Sequence, residues 1–324
     1  MEPGERKAYT DAVLCLQHKP SQLDPAVYPG AKTRYDDFVA VHINLTLRIH
    51  LDALFLSWHR NYVFLYQQAL EEECGYQGVA PYWHWPKWAN KLNESPLFDG
   101  SKYSLSGDGA YNASLGPYVL GPNATLPRGS GGGCVTSGPF KNYTANLGPF
   151  DFSLVFTANG VLPSWAFDYN PRCFSRDLNT YVAETYTNQS DVDALLDTQT
   201  IEEFQDVLSG VAGTLNLGPH GGGHLTMGAQ GFDFFASPND PAFFLHHGQI
   251  DRLWWKWQME DPVSRIYGNN SLFGTSTILN IPPSPNSTLT DYEQFVILDK
   301  PRQIKELMSI HAGPFCYIYQ DPSP

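Results

Sequence analysis

The sequence predicts a mainly helical protein in which long irregular loops and a few short β-strands surround the helices. Apolar and aromatic residues recur at helical spacing in the first quarter of the chain and again after residue 177. Between these parts, residues 86–170 are dominated by Gly, Pro, Ser and Asn, which favour turns. No internal repeat or domain boundary is visible, so we expect one domain over residues 1–324.

Helices are predicted wherever apolar side chains recur every three and four residues. These stretches are residues 7–19, 33–48, 58–74, 177–212 and 238–258. The second is amphipathic, with Phe38, Val41, His42 and Leu45 on one side. The last is strongly aromatic and follows the helix-start signal SPNDP. In the Pro- and Ser-rich tail beyond it, short strands are predicted at 294–298 and 315–319.

Composition and charge narrow the possible functions. Hydrophobic residues make up 42% of the chain and aromatic residues 14%, enough for a large core and an apolar pocket. The formal net charge of −13 repels nucleic-acid phosphates and anionic membrane surfaces. No apolar run is long enough to predict a membrane span. We therefore expect neither nucleic acid nor a membrane as a partner.

Several features indicate a secreted, extracellular protein. The five cysteines fit a few disulfides formed in an oxidising compartment. The first residues, MEPGER, lack the apolar segment of a signal peptide, so we interpret the sequence as a mature or trimmed chain. Eight Asn-X-Ser/Thr sequons indicate passage through the secretory pathway. They lie at Asn44, Asn93, Asn112, Asn123, Asn142, Asn188, Asn269 and Asn286.

Six of the ten histidines fall into two groups of three. In the clearer group, His220 and His224 are one helical turn apart, with Cβ atoms about 5–6 Å apart, so they could share a metal ion. His247 follows on the aromatic helix, and Asp251, its i+4 neighbour, is a candidate carboxylate partner beside the metal. The alternative is a glycine-rich helix start with an incidental histidine pair.

The other group is His42, His50 and His59. On one straight helix His42 and His50 would be about 12 Å apart, too far for one ion. If both are ligands, the helix must end near Arg48 and the chain must bend back. Each histidine alone is more simply a satisfied core or surface residue. Imidazole suits zinc, copper, iron and nickel, so spacing does not select the metal.

The residues around the histidines carry a resemblance to a known family. Residues 55–60 (FLSWHR), 81–85 (PYWHW) and 239–254 (NDPAFFLHHGQIDRLW) resemble the copper signatures of the tyrosinase, catechol oxidase and haemocyanin family. Four shorter segments resemble short secreted polyphenol oxidases of ascomycete fungi: 74–76 (CGY), 95–100 (SPLFDG), 131–140 (GGGCVTSGPF) and 170–173 (NPRC). The resemblance covers most of the chain.

The resemblance implies a four-helix-bundle core around a type-3 centre with two copper ions. The implied ligands are His42, His50 and His59 for the first ion, and His220, His224 and His247 for the second. His246 would then be a buried group beside the ligands. Such proteins use molecular oxygen to convert a small o-diphenol to an o-quinone. We therefore expect a polyphenol oxidase that is weaker on monophenols. We also expect the protein to be a monomer.

Three other functions stay open at this point, one of which is a non-catalytic secreted binding module. A haemocyanin-like oxygen carrier would use the same six histidines. A zinc hydrolase would need one three-histidine site and a positioned base, and it would leave three histidines without a role.

The sequence departs from the family pattern near the first copper motif. His84 stands where the family usually has the acidic residue of Pro-Tyr-Trp-Asp-Trp, so that residue's hydrogen-bonding role is in doubt. Many fungal members join a Cys to the middle ligand of the first copper through a thioether. Here Arg48 lies two residues before His50 and no Cys is near, so we expect no thioether.

A second departure affects the expected substrate. In tyrosinases that hydroxylate monophenols, an Asn often follows the first ligand of the second copper, aided by an upstream Glu. Here these positions are Gly221 and, by a loose alignment, Ser209. Leu225, the residue after His224, is apolar and cannot act as a base. Since no evident base serves a monophenol, we expect diphenol oxidation to be faster.

The cysteines are expected to form two disulfides. Cys15 lies on the first helix and Cys74 ends the helix after the first copper motif, so we pair them. Cys134 and Cys173 flank part of the irregular segment and form the second pair. Cys316 is left over, with a free thiol or a partner upstream of this sequence.

Two adjacent phenylalanines precede the aromatic helix. Either both Phe234 and Phe235 are core residues, or one of them is a gate over the second copper, on which the ring of an incoming substrate would stack.

Overall fold

The computed structural model describes residues 1–320 and confirms a mainly helical protein. The α-helices are α1 (Pro3–His18), α2 (Arg34–Leu45), α3 (Phe55–Cys74), α4 (Trp85–Trp88), α5 (Leu154–Thr157), α6 (Thr180–Tyr186), α7 (Gln189–Leu196), α8 (Ile201–Ser209), α9 (Gly218–Met227), α10 (Ala242–Glu260) and α11 (Pro262–Ile266). The last residues of the predicted tail, 321–324, lie outside the described part of the chain. Among residues 1–320, no helix combines the length and apolarity needed to cross a bilayer.

The β-strands are short and pair locally. They are β1 (Gly109–Tyr111), β2 (Tyr118–Gly121), β3 (Ala124–Leu126), β4 (Gly132–Val135), β5 (Thr144–Ala145), β6 (Arg172–Cys173), β7 (Tyr292–Glu293) and β8 (Arg302–Gln303). Within the described residues they form antiparallel pairs, β1–β4, β2–β3, β5–β6 and β7–β8.

The two strands predicted in the tail are wrong. The stretch 294–298 is not extended because Val296 has a φ of 56°, which a β-strand does not allow. The pairing in this region involves β7 and β8 instead. Residues 315–319 also form no strand, and the tyrosine side chains at 317 and 319 bond to Asp251 on α10.

Four helices, α2, α3, α9 and α10, carry five of the six candidate ligands and form the centre of the fold, and His50 lies in the connection between α2 and α3. Helix α2 begins at a capping box in which Thr33 and Asp36 bond each other's backbone N–H groups. The expected amphipathic character of this helix is wrong, because every side from Arg34 to Ile43 is buried. Helix α3 packs on α10, where the rings of Tyr66 and Phe244 stack with centroids 3.5 Å apart.

One disulfide holds the first helix to α3, a second cross-links the irregular part of the chain, and a buried ion pair joins that part to the start of α10. The predicted Cys15–Cys74 and Cys134–Cys173 bonds are confirmed, and Cys316 is unpaired and exposed. By the chain-entropy argument each bond stabilises the fold by about 4 kcal/mol. Arg176 and Asp240 form a fully buried ion pair, with Nη2 2.6 Å from Oδ1, and the pair ties the irregular segment to the start of α10.

Candidate metal centre

The first group of histidines meets because the chain turns sharply after α2. The helix ends at Leu45, and the short 3₁₀ turn Thr46–Arg48 follows, much as the distance argument required. The Thr46 hydroxyl donates to the carbonyl of His42 at 2.6 Å, and Leu51 takes a φ of 51°. As a result, the ring centroids of His42 and His50 lie 5.0 Å apart.

Each imidazole of this group is oriented by a backbone carbonyl. The Nδ1 atoms of His42, His50 and His59 lie 2.7, 3.0 and 2.8 Å from the carbonyl oxygens of Phe235, Thr46 and Phe55. These contacts fix the tautomer with hydrogen on Nδ1, so Nε2 keeps its lone pair. The Nε2 atoms of His42 and His59 are buried without any hydrogen-bond partner. A metal ion would satisfy both.

The second group places imidazole nitrogens at the separation expected around one ion. His220 and His224 lie on α9, and His247 lies on α10. The Nε2 atoms of His224 and His247 are 3.2 Å apart. Two nitrogens bound to one ion at about 2.0–2.1 Å in tetrahedral geometry lie roughly 3.3 Å apart. The Nδ1 atom of His224 lies 2.8 Å from the carbonyl oxygen of Gly231, and Nε2 of His220 is buried without a partner.

His246 lies within the same cluster, with a potential ligand atom within 4.8 Å of those of His220, His224 and His247. Its Nε2 lies 3.1 Å from the carbonyl oxygen of His220 and donates to it. A Cβ at Gly223 would lie 2.2 Å from Cε1 of His246, so only glycine lets this ring approach α9. A place beside the ligands, outside the coordination sphere, stays our prediction for His246.

The two groups face each other across a short gap. The rings of His59 and His247 stack with centroids 4.4 Å apart, and those of His50 and His220 are nearly parallel at 6.2 Å. Phe55 contacts both groups, with its ring centroid 4.7 Å from that of His59 and 4.6 Å from that of His220. Two bound ions would therefore be neighbours, a geometry that suits a shared small ligand. Sequence reasoning missed Phe55, although it opens the FLSWHR motif.

Burial keeps these histidines neutral, which is the form that binds metal. Removal from water lowers the pKa of His50 to about 3 and that of His224 to about 4. The same cause holds the pKa values of the other histidines of both groups well below 6.5, namely His42, His59, His220, His246 and His247.

We expect the metal-free protein to lose stability as the pH falls from 6.5 towards 4. In that range the unfolded chain takes up protons on histidines that the folded protein keeps neutral. Each such histidine lowers the free energy of unfolding by about 1.4 kcal/mol per pH unit. Six carboxyl groups whose pKa values burial raises act in the opposite direction, but the seven clustered histidines outnumber them; these carboxyl groups are those of Asp36, Asp52, Asp108, Asp191, Asp233 and Glu293. Thermal unfolding of metal-free and copper-loaded protein over this range measures the effect. A flat profile for the metal-free protein would contradict it.

An apolar cavity leads from the surface to the two histidine groups. Its lining includes His50, His220 and His224, whereas His42, His59 and His247 lie behind them. Its other lining residues are Leu51, Val119, Leu120, Phe152, Ser209, Val211, Ala212, Gly213, Asn216, Leu217, Gly221, Phe232, Asp233, Phe234 and Ser237. Gly221 and Ser209 thus face the same cavity.

Of the three other residues predicted to line the pocket, only Phe234 does so. Phe234 lines the cavity, as predicted, and its ring centroid is 4.8 Å from that of His50 in the first histidine group. A gate over the second copper stays a prediction for this residue. Phe235 is fully buried and stacks on Phe150, so it is core. Leu225 is also fully buried and packs in a small apolar cluster with Leu126, because it points away from the cavity on α9.

The predicted contact between Asp251 and His247 is wrong. The Asp251 carboxylate accepts hydrogen bonds from Nε of Arg60 at 2.5 Å and from the hydroxyls of Tyr317 and Tyr319 at 2.6 and 2.5 Å. Nδ1 of His247 is buried with no hydrogen-bond partner. The side chain at i+4 faces α3 and the tail, where a cation and two phenols are available.

His84 is half-buried at the start of α4. Burial and the nearby positive charges of Arg252, Lys87 and Lys256 lower its pKa. A neutral imidazole therefore stands where the family has an acidic group, and it brings no negative charge to this position.

Comparisons with known proteins agree with this geometry. The sequence family described as “Common central domain of tyrosinase” matches residues 32–260. “Tyrosinase P” of Aspergillus terreus is 48% identical over 320 residues, covering 97% of this chain and 88% of that protein. An N-acetyl-6-hydroxytryptophan oxidase of Emericella nidulans is 43% identical, covering 99% and 90%. The structure of a polyphenol oxidase variant from Thermothelomyces thermophila has a TM-score of 0.89 and 41% identity, covering 99% of this chain and 87% of that one.

Proposed function

Because the chain belongs to the tyrosinase family of type-3 copper oxidoreductases, which bind two copper ions, we propose that it oxidises o-diphenols to o-quinones in preference to hydroxylating monophenols. Membership of this family implies that the protein oxidises phenols as a class. The preference for diphenols rests on one observation: the cavity that reaches His50, His220 and His224 offers no free base beside them.

The copper ions, when bound, supply electron transfer from the phenol to molecular oxygen. Backbone carbonyls orient the imidazoles, burial keeps them neutral, and the apolar lining excludes water and takes up an aromatic ring. Gly221 has no side chain, and Ser209 offers only a hydroxyl. The carboxylate of Asp233 accepts hydrogen bonds from the backbone N–H groups of Phe150, Phe235 and Ala236, so it is not free to act as a base.

The lack of a base in the lining affects monophenols and o-diphenols differently. A monophenol hydroxyl has a pKa of about 10, like that of tyrosine, and it gains from a neighbouring base. Since the lining provides none, we expect a monophenol to enter the reaction slowly. An o-diphenol needs only to lose two electrons and two protons, without gaining an oxygen atom.

The direct test is oxygen consumption by the copper-loaded protein with catechol. Two catechols give two electrons each, so the expected result is one oxygen molecule consumed for every two quinones formed. An oxygen carrier would bind oxygen and leave catechol unchanged. Active protein that contains zinc and no copper would overturn the proposal.

A Gly221→Asn variant is expected to hydroxylate monophenols more readily. A Cβ at Gly221 would meet Leu217 at 3.4 Å, an ordinary contact, so Asn fits without strain and could orient a water. We expect the ratio of monophenol to diphenol rate to rise about fivefold, or about 1 kcal/mol of barrier. The measurement is the ratio of initial rates on tyrosol and hydroxytyrosol.

Gly116→Asn is the matched control, because no atom lies within 4 Å of a Cβ at this position and Gly116 does not line the cavity. If the parent protein hydroxylates tyrosol as fast as it oxidises hydroxytyrosol, then no base is required and the argument from Gly221 fails.

We also propose that the protein is a secreted, N-glycosylated enzyme. Five sequon asparagines have exposed side chains and are expected to carry glycans, namely Asn93, Asn123, Asn142, Asn269 and Asn286. Asn44 is expected to stay unmodified, because it lies in α2 and its sequon partner Thr46 is fully buried. Its Nδ2 donates to the hydroxyl of Tyr28 at 3.2 Å. Glycopeptide mapping of protein secreted by a fungal host tests this, and a glycan on Asn44 or unmodified exposed sites would contradict it.

A further inference from the structure

Three segments meet at the outer end of the cavity. They are the β2–β3 hairpin, the loop at 210–217 between α8 and α9, and the helix α5. A Cβ at Gly121 would lie 2.2 Å from the carbonyl oxygen of Gly213, so hairpin and loop are in direct backbone contact. A Cβ at Gly213 would in turn lie 4.0 Å from the ring of Phe156 on α5. These contacts define the mouth of the cavity.

The mouth presents apolar side chains to solvent. Val119 on the hairpin is 73% exposed and Val211 on the loop is 55% exposed, and both line the cavity. Phe156, beside Gly213, is 45% exposed. Adjoining exposed apolar groups at the entrance of an apolar cavity are typical of a binding site, because a ligand that covers them removes their surface from water.

The same lining offers no partner for a charged substituent. Among the described residues that line the cavity, none is a lysine or an arginine. The only carboxylate, that of Asp233, is bound by three backbone N–H groups. A substrate carboxylate would lose its hydration without gaining a counter-charge, and the chain as a whole carries −13.

We propose that the preferred substrates are uncharged o-diphenols with an apolar substituent, which extends from the ring out of the cavity onto Val119 and Val211. This inference rests on the proposed function, since the diphenol end must reach the histidines. It assigns Val119 and Val211 as residues that determine substrate specificity.

The kinetic test compares two catechols of similar length, 4-butylcatechol and 3-(3,4-dihydroxyphenyl)propanoate, on the copper-loaded protein. We expect kcat/KM to be about tenfold higher for the butyl compound, mainly through KM, the usual size of discrimination in an apolar pocket. Val119→Ser and Val211→Ser together should reduce this preference by about threefold or more. Val263→Ser is the control, because Val263 is 85% exposed on α11 and does not line the cavity.

A binding test separates this inference from the proposed function. Calorimetric titration of the copper-free protein with 4-butylresorcinol and with 3-(2,4-dihydroxyphenyl)propanoate measures the same preference, and neither compound can form an o-quinone. Tighter binding of the butyl compound, weakened by Val119→Ser with Val211→Ser, supports the inference even if catechol is not oxidised. Two results overturn the inference. One is that the protein oxidises catechol but has equal kcat/KM for 4-butylcatechol and 3-(3,4-dihydroxyphenyl)propanoate. The other is that the double variant leaves the preference unchanged.

Discussion

A His247→Gln variant is expected to lose one of its two copper ions and at least about a thousandfold of its diphenol oxidase activity, or about 4 kcal/mol of barrier. The Nε2 atom of His247 lies 3.2 Å from that of His224, at the separation expected for two ligands of one ion. Without it, only His220 and His224 remain for the second ion. The reaction needs both ions, so the first group alone cannot sustain it. Copper content by elemental analysis and oxygen consumption with catechol give the two readouts.

Two control variants make this result specific. His311→Gln should keep both ions and full activity, because His311 is exposed and lies in neither group. His246→Gln should keep both ions and lose some stability, because its Nε2–H bonds the carbonyl of His220. If instead His246→Gln loses an ion and His247→Gln keeps both, the assignment of the pair is reversed.

An Arg60→Met variant is expected to be less stable by about 3–5 kcal/mol, because it leaves the buried Asp251 carboxylate without its cation. Both side chains of this pair are almost wholly buried. Arg60 also donates to the carbonyl of Met308 at 2.6 Å and to Gln258 at 3.2 Å, and its guanidinium lies 3.8 Å from the ring centroid of Trp254. The expected fall in Tm is about 4–7 °C for a chain of 324 residues. Thermal unfolding of the copper-loaded protein measures it.

Arg302→Met is the matched control, because the Arg302–Asp299 pair is partly exposed and links two residues only three positions apart. Such pairs contribute about 0–1 kcal/mol. An Arg60→Met variant that loses no more than this control would show that the pair does not hold α3 to α10.

The sequence could predict the features that repeat along the chain or belong to long motifs. Helical spacing located α1, α3 and α10, although α3 begins at Phe55 rather than at Trp58. The reach of a straight helix predicted the turn between His42 and His50. The resemblance supplied the candidate ligands, whose nitrogens the structure brings together in two clusters.

Features that depend on distant parts of the chain were beyond this reasoning. The i+4 rule placed Asp251 near His247, but Arg60 and two tail tyrosines provide its partners. Spacing gave no information on which way Leu225 points, and its side chain packs in a satellite apolar cluster. The strand predicted at 294–298 is wrong because a single positive φ, at Val296, is not visible in the hydrophobic pattern.

The bonds from Tyr317 and Tyr319 to Asp251 also order events during synthesis of the chain. The ribosome releases α3 and α10 first, yet the carboxylate that joins them receives two of its three donors from residues made more than sixty positions after it. Until those residues emerge, a nascent chain already contains all six candidate ligands while the frame around them is incomplete. We therefore expect the hydrogen bonds around the carboxylate that joins α3 to α10 to be completed only after the tail has been translated.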